Sequence, residues 1–469
     1  MQLIGREQER KELEKCLNSQ RSEFVVIYGR RRIGKTFLIR KFFDDKFDFS
    51  FVGMHNYARQ AQLDDFAKAL KKYSGNKYAL NLKNWDEAFE QLELLLEKKK
   101  KIGKKVVFID EMPWIDSRRS DFIPALEKFW NSWAAFRDDI MFVCCGSSTS
   151  WIIDKILKNR GGLYNRTTMQ IYLRPFTLGE TKLYLENIKC NWDDFQIAQC
   201  YMILGGVPYY YSLLESKESL VENVDRLFFS SKNAVLRTEF SELFAALFPN
   251  YEKYADIIKL LSTRQEGFTR TQISEKQGFG GSELTKILDN LERCDFITGY
   301  VKTGGGNKNK IYRICDFYTL FYYRFIEKNA EAKPGYWQKV FNSTKIAVWQ
   351  GYSFELLCLL HISQIEKALG ISGMVTTAST WRSKNNEAQI DLVIERADRI
   401  IHLCEMKFSK NNFVLTKDYE KKLRDRAAIF EAETGTKFAV NTVFITTYGV
   451  ANAQNYSIIS KDITLEMLF

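Results

Sequence analysis

Eight residues, Gly29-Arg30-Arg31-Arg32-Ile33-Gly34-Lys35-Thr36, follow the apolar, β-branched run Phe24-Val25-Val26-Ile27-Tyr28 and lead into Phe37-Leu38-Ile39, the start of a helix. They fit the pattern GxxxxGK[ST]. A strand, a glycine-bounded turn and a helix start aim consecutive main-chain N–H groups at one point, where a polyphosphate can rest on the helix N-terminus. Gly29 and Gly34 permit the tight turn and the close approach of backbone to phosphate. Lys35 reaches the β- and γ-phosphates, and Thr36 offers its hydroxyl to Mg²⁺. Arg30, Arg31, Arg32 and Ile33 complete the loop. The context commits this part of the chain to an α/β core and to a nucleoside triphosphate as ligand.

A second segment is expected to complete that site. Lys104-Lys105-Val106-Val107-Phe108-Ile109-Asp110-Glu111 is a short apolar strand ending in two carboxylates. A doubly wound parallel sheet binds ligands beyond the carboxyl ends of its strands, so Asp110 and Thr36 are predicted to meet around one Mg²⁺. Glu111, one residue on, points elsewhere and can polarise an attacking water. Phosphoryl transfer asks for little more than metal, lysine and a positioned water. After the next strand, Ile140 to Cys145, come Gly146-Ser147-Ser148. Ser147 reads either as a sensor of the γ-phosphate or as part of a plain strand-end turn. The lysines at 98–101, 104 and 105 fall at the opposite sheet end and read as a solvated helix end.

At 469 residues the chain exceeds what one core organises, so two to four domains are expected. A 45% hydrophobic content excludes a disordered protein. The net charge of +11 permits a polyanionic partner, yet residues 335–469 hold 16 Lys/Arg and 14 Asp/Glu, so the excess lies earlier. Nine cysteines without a CxxC pair and three scattered histidines argue against a disulfide frame or a zinc knuckle. No apolar run has membrane-spanning length and no signal-peptide core opens the chain, so a soluble, cytoplasmic protein is expected.

Several of these segments together resemble the archaeal-type ATPases of the AAA/STAND lineage. They are Ile4-Gly5-Arg6-Glu7, the arginine-rich loop at 29–36, Phe108-Ile109-Asp110-Glu111-Met112-Pro113-Trp114, Gly146-Ser147-Ser148, Leu173-Arg174-Pro175-Phe176 and Gly205-Gly206-Val207-Pro208-Tyr209-Tyr210. The resemblance covers about residues 2–215. It implies ATP as the nucleotide, with Gly5, Arg6 and Pro208 near the adenine and an arginine near Arg166 facing a phosphate. Where that family often shows Gly-Arg, this chain has Asn165-Arg166, and Arg160 and Arg174 are the competing arginines.

Residues 250–326 turn largely helical. Leu284, Ile287, Leu288 and Leu291 recur at i, i+3, i+4 and i+7, after a shorter helix around residues 271–276. Phe296 to Val301 and Ile311 to Ile314 suggest a hairpin, giving a winged-helix arrangement. Lys302, Lys308 and Lys310 can meet phosphates. The second helix, however, exposes Glu283, Lys286, Asp289, Asn290, Glu292 and Arg293, a poor face for a major-groove reader, so a coupling module is favoured. The aromatic run Phe317 to Phe325 is expected to pack a core.

Farther on, Ala388 to Glu395 and Ile400 to Lys407 read as two strands around a turn at Asp398, with Asp391 and Glu405 each seven residues from it. In a symmetric hairpin these carboxylates face each other and need a positive compensator, either a divalent metal or Lys407 on the same face. Glu355 adds a carboxylate from a helical run. This layout resembles the PD-(D/E)xK nucleases over about residues 346–469. The resemblance implies Asp391 and Glu405 as metal ligands, Glu355 as an accessory ligand and Lys407 as the catalytic lysine, with DNA or RNA as substrate.

The expected architecture is α/β and multidomain. It comprises a doubly wound parallel-sheet P-loop ATPase core (1–180), a helical lid (181–249), a winged-helix domain (250–335) and an α/β nuclease-like domain (336–469). The expected function is ATP hydrolysis controlling a Mg²⁺-dependent nuclease domain. The alternative is an ATP-gated switch, binding DNA or a protein partner, whose nuclease-like domain is catalytically inactive. Either version is compatible with a homo-oligomer.

Overall fold

In the computed structural model, which describes residues 2–75, 80–116, 120–158, 161–248, 250–300, 310–329 and 331–469, the chain divides into two units, Met1–Pro175 and Phe176–Phe469. The apolar runs of the first unit become β1 (Glu23–Tyr28), β2 (Phe49–Val52), β3 (Lys105–Asp110), β4 (Ile140–Gly146) and β5 (Met169–Tyr172). They form one parallel sheet in the order β2-β3-β4-β1-β5. Alternation sends their side chains into two cores. Phe24, Val26, Val107, Ile109, Phe142 and Cys144 join one, while Val25, Ile27, Val106, Phe108, Val143 and Cys145 join the other with Ile33, Leu38 and Ile39. A strand buried on both faces has no polar positions to spare, which is why these segments are continuous apolar runs. Register sets Tyr28 beside Gly146 and Val52 beside Asp110, so the carboxyl ends of the strands share one edge.

At the opposite edge Lys98, Lys100 and Lys101 are exposed as expected, and two other lysines depart from the expectation. Lys104 and Lys105 are buried: Lys105 pairs with Asp139 at 2.9 Å, and Lys104 donates to the carbonyls of Arg21 and Asp138. Lys101 pairs with Asp48 at 2.7 Å. Burying an ammonium is tolerated here because each has a partner.

The second unit begins with helices Leu178–Asn187 and Asp194–Leu204, each opened by a capping box, Thr177 with Glu180 and Asp193 with Gln196. Next come β6 (Phe268–Thr269), β7 (Ile297–Tyr300) and β8 (Ile311–Ile314), antiparallel in the order β6-β8-β7. Helices Arg270–Gln277 and Gly281–Arg293 accompany them, and Leu284, Ile287, Leu288 and Leu291 are all buried. Lys302 and Lys308 lie outside the described residues. Lys310 pairs with Glu292 at 2.7 Å, which ties it to the preceding helix. Tyr318, Phe321 and Phe325 are core residues.

The last sheet comprises β9 (Thr376–Arg382), β10 (Gln389–Arg396), β11 (Ile400–Lys407), β12 (Ala439–Thr446) and β13 (Ile459–Thr464). It is mixed, antiparallel from β9 to β11 and parallel from β11 to β13. Helices Thr344–Leu360 and Lys417–Thr434 belong to the same region. The segments expected as lid, winged-helix and nuclease-like domains thus fall within one unit, and the first unit ends at Pro175 rather than at residue 180. All nine cysteines are buried, and among the described residues they form no disulfide. Among the described residues no helix is long and apolar enough to cross a membrane.

Candidate functional site

The loop at residues 29–36 is shaped by two left-handed glycines. Gly29 has φ 143°, and a Cβ there would lie 2.4 Å from the Leu173 carbonyl oxygen. Gly34, at φ 88°, caps the helix Lys35–Phe42. Lys35 is buried, and its Nζ donates to the carbonyls of Gly29 at 2.9 Å and Arg30 at 2.8 Å. Arg30 and Ile33 are buried, whereas Arg31 and Arg32 are half-buried. Gly5 and Arg6 adopt φ 64° and 61°. The buried Arg6 guanidinium donates to the carbonyls of Arg174 at 2.8 Å and Ile33 at 3.2 Å. It fastens the N-terminal segment to the loop and to the chain leaving β5.

Asp110 ends β3 and is buried. Its Oδ2 accepts the Thr36 hydroxyl at 2.8 Å. Its Oδ1 accepts the Glu111 N–H at 2.9 Å and the Cys145 thiol at 2.6 Å. Burial, reinforced by Asp110 and Glu111, pushes the Cys145 pKa well up, so the sulfur remains a protonated donor. This donor set fits Mg²⁺: a carboxylate and a hydroxyl are hard oxygen ligands, and a protonated thiol does not compete.

Glu111 sits at φ 46°, ψ 47°, in the left-handed region, uncommon for a residue other than glycine. Its Oε2 accepts the Ser147 N–H at 3.1 Å and the Ser147 hydroxyl at 2.9 Å. β3 and β4 thus place Ser147 to orient Glu111. Of the competing arginines, Arg160 lies outside the described residues. Arg166 is exposed after Asn165, which has φ 55°. Arg174 is exposed with its guanidinium 5.5 Å from the Tyr172 ring centre. Pro208 opens the short helix Pro208–Tyr211 of the second unit.

A second group of titratable side chains gathers on β10 and β11. Leu392 pairs with Cys404 and Glu395 with Ile401; Asp391 and Glu405 are the next residues outward on each strand. Glu405 is buried. Its Oε1 accepts from Lys407 at 2.6 Å and from the Tyr419 hydroxyl, and its Oε2 accepts from Arg426 at 3.1 Å. Burial lowers the Lys407 pKa, but the adjacent Glu405 more than offsets this and holds the ammonium above its ordinary range. Glu355 is half-buried on Thr344–Leu360, and burial followed by the Asp391 charge pushes its carboxyl up to about 8. The Gln389 amide donates to Asp391 at 2.8 Å.

Among the described residues no three His, Cys, Asp or Glu side chains converge as a metal site. Glu405, expected as a metal ligand with Glu355 and Asp391, has its oxygens turned to Lys407, Arg426 and Tyr419. Sequence reasoning missed Cys145, Tyr419 and Arg426. Tyr419 and Arg426 stand seven apart on one helix, two turns along the same face, and that spacing was the available clue.

Residues 3–214 match the ATPase domain predominantly from Archaea. Over 403 residues the chain is 25% identical to the uncharacterized protein MJECL04 of Methanocaldococcus jannaschii, covering 83% of each. A 43-residue stretch is 42% identical to the uncharacterized ATP-binding protein MJ0423 of the same organism, covering 9% of this chain and 73% of that one. Among solved structures, the Walker-type ATPase PABY2304 of Pyrococcus abyssi aligns with a TM-score of 0.49 at 18% identity, over 69% of this chain and 96% of that one.

Proposed function

Taking residues 3–214 as a P-loop ATPase domain of the kind that predominates in Archaea, we propose that this chain binds ATP with Mg²⁺ at residues 29–36 and hydrolyses it. The observation that carries the reading is the 2.8 Å contact of Thr36 with Asp110, which brings the two expected metal ligands together from the loop and from β3. When bound, Mg²⁺ supplies charge to offset the β- and γ-phosphate oxygens. The loop N–H groups cradle the phosphates, and Lys35 exchanges the Gly29 and Arg30 carbonyls for phosphate oxygens. Glu111, steadied by Ser147, holds the attacking water and accepts its proton. We assign Arg166 to a phosphate and Gly5 and Arg6 to the shape of the nucleotide pocket. Released phosphate, measured for wild type and Lys35→Ala, tests the proposal. Turnover by wild type that falls by ~10³-fold in the variant is expected, and equal turnover contradicts it.

For the second unit we read a winged-helix module followed by a PD-(D/E)xK nuclease-like domain acting on nucleic acid under control of the nucleotide. The adjacency of Asp391, Glu405 and Lys407 supports this reading. The helix–helix–hairpin segment serves coupling, since Lys310 is tied to Glu292. A second reading, a domain that holds a partner without cutting, is favoured by the closed state of Glu405 between Lys407 and Arg426. Incubation of the full chain with DNA or RNA in Mg²⁺ or Mn²⁺ separates them. Cutting lost in Lys407→Ala with ATP hydrolysis spared supports the nuclease, whereas intact substrate in every metal and nucleotide condition leaves the partner-holding reading.

A further inference from the structure

The second unit contains a cavity of about 670 Å³ lined by its three-stranded sheet on one side and by β9 and β10 on the other. Glu355 and Asp391 both line it. So does Arg313, from β8, whose guanidinium lies 4.9 Å from the Tyr300 ring centre and whose Nε is buried without a hydrogen-bond partner among the described residues. Arg324 and Lys328, four residues apart, are exposed at the same cavity, and neither has an ion-pair partner among the described residues. Tyr352, one helical turn before Glu355, is 45% exposed. The lining carries five cations against three carboxylates, and among the described residues only Arg264 and Arg382 are paired, both with Glu266.

Arg324 and Lys328, without ion-pair partners among the described residues, and an open aromatic face beside them match the chemistry of a nucleic-acid strand: phosphates meet the cations and a base stacks on the ring. The volume falls within the ~300–1,000 Å³ of small-ligand pockets, which admits a piece of single strand and excludes a duplex. We propose that this cavity binds single-stranded nucleic acid. Arg313 grips a phosphate beside Asp391 and Glu355, Arg324 and Lys328 grip its neighbours, and Tyr352 stacks a base. The inference rests on the nuclease-like reading of this unit. It gives the three-stranded module a distinct task, that of forming one wall of the strand's binding site.

The test is fluorescence anisotropy of a labelled thymidine oligonucleotide with the full chain, in EDTA so that no cutting occurs, across a series of salt concentrations. Arg313→Gln is expected to weaken binding about tenfold, and Arg324→Gln with Lys328→Gln to flatten the salt slope by about 1 to 2. A duplex of equal length is expected to compete poorly. Tyr352→Ala, at an exposed position, provides a variant whose folding is not in question and should also weaken binding. Unchanged affinity in both Arg313→Gln and Tyr352→Ala, or equal competition by duplex, overturns the proposal. Binding that depends on these residues without any cutting in Mn²⁺ supports this site while removing the nuclease reading.

Discussion

Asp110 and Glu405 are both buried carboxylates near the ends of strands, yet their partners differ in charge. Asp110 is held by neutral donors: the Thr36 hydroxyl, the Cys145 thiol and the Glu111 N–H. Glu405 is held by two cations, Lys407 and Arg426, together with the Tyr419 hydroxyl. Neutral donors orient a carboxylate and leave its charge available to a divalent ion. Cations at contact distance neutralise it, so a metal at Glu405 must first displace an ammonium or a guanidinium. Under the proposed function the first unit offers Mg²⁺ a carboxylate held by neutral donors alone, whereas the carboxylate of the second is closed between two cations.

The contrast would break most visibly at Glu111. If Asp110 and Glu111 divide the work between metal and water, Glu111→Gln lowers ATP turnover by ~10²-fold or more while leaving ATP affinity within about twofold of wild type. Phosphate release and equilibrium ATP binding, measured on one preparation, check both halves. A loss of binding equal to the loss of turnover would make Glu111 part of the metal site and erase the division.

A smaller effect sharpens the other side. Removing one cation from Glu405 by Arg426→Gln is expected to raise Mn²⁺ affinity in the second unit about tenfold, the equivalent of ~1.4 kcal/mol. Titration calorimetry of Mn²⁺ into the nucleotide-free chain, with Asp110→Asn in both proteins compared to remove the proposed metal ligand of the first unit, reads that site. No gain in Mn²⁺ uptake would mean that the clamp is not what excludes the metal.

The smallest effect is a pH dependence of stability at Glu355. Burial and Asp391 raise its carboxyl to about 8 from an ordinary 4.5, with Glu405 adding to the rise and Lys407 and Arg313 opposing it. The folded chain therefore retains a proton that the unfolded chain has lost. The stability this contributes is complete below the unfolded value and disappears as pH rises through the folded one, with a limiting slope of about 1.4 kcal/mol per pH unit. Glu355→Gln has no such proton, so in EDTA its Tm should fall less than that of wild type between about pH 5 and pH 9. Parallel Tm profiles would show that Glu355 titrates normally.

What could be read from the sequence was local. The loop at 29–36 carries its own conformational requirements in Gly29 and Gly34, and β1 and β3 are recognisable because strands buried on both faces are apolar throughout. Counting outward from Asp398 gives the register of the pairs from Leu392–Cys404 to Glu395–Ile401, since a tight hairpin fixes pairing by sequence distance alone. Beyond Thr36 for Asp110 and Lys407 for Glu405, the partners of the carboxylates were not legible. Cys145 of β4 and Ser147 just beyond its end reach Asp110 and Glu111, and Tyr419 and Arg426 reach Glu405 from a helix that follows the hairpin. Residue type tells which groups can bond, and only the packing of distant elements tells which do. The same limit explains Lys104 and Lys105, whose charges look solvated until Asp138, Asp139 and the Arg21 carbonyl are folded around them.

We propose that Thr36 and Asp110 share a magnesium ion that fixes ATP to the loop. Calorimetric titration of ATP into the full chain, with Mg²⁺ present, with Mg²⁺ withheld, and with Mg²⁺ present in Asp110→Asn, tests it most directly. ATP uptake that weakens about tenfold or more in the second and third conditions is the predicted result. No uptake at all, or an affinity indifferent to both metal and Asp110, would contradict it.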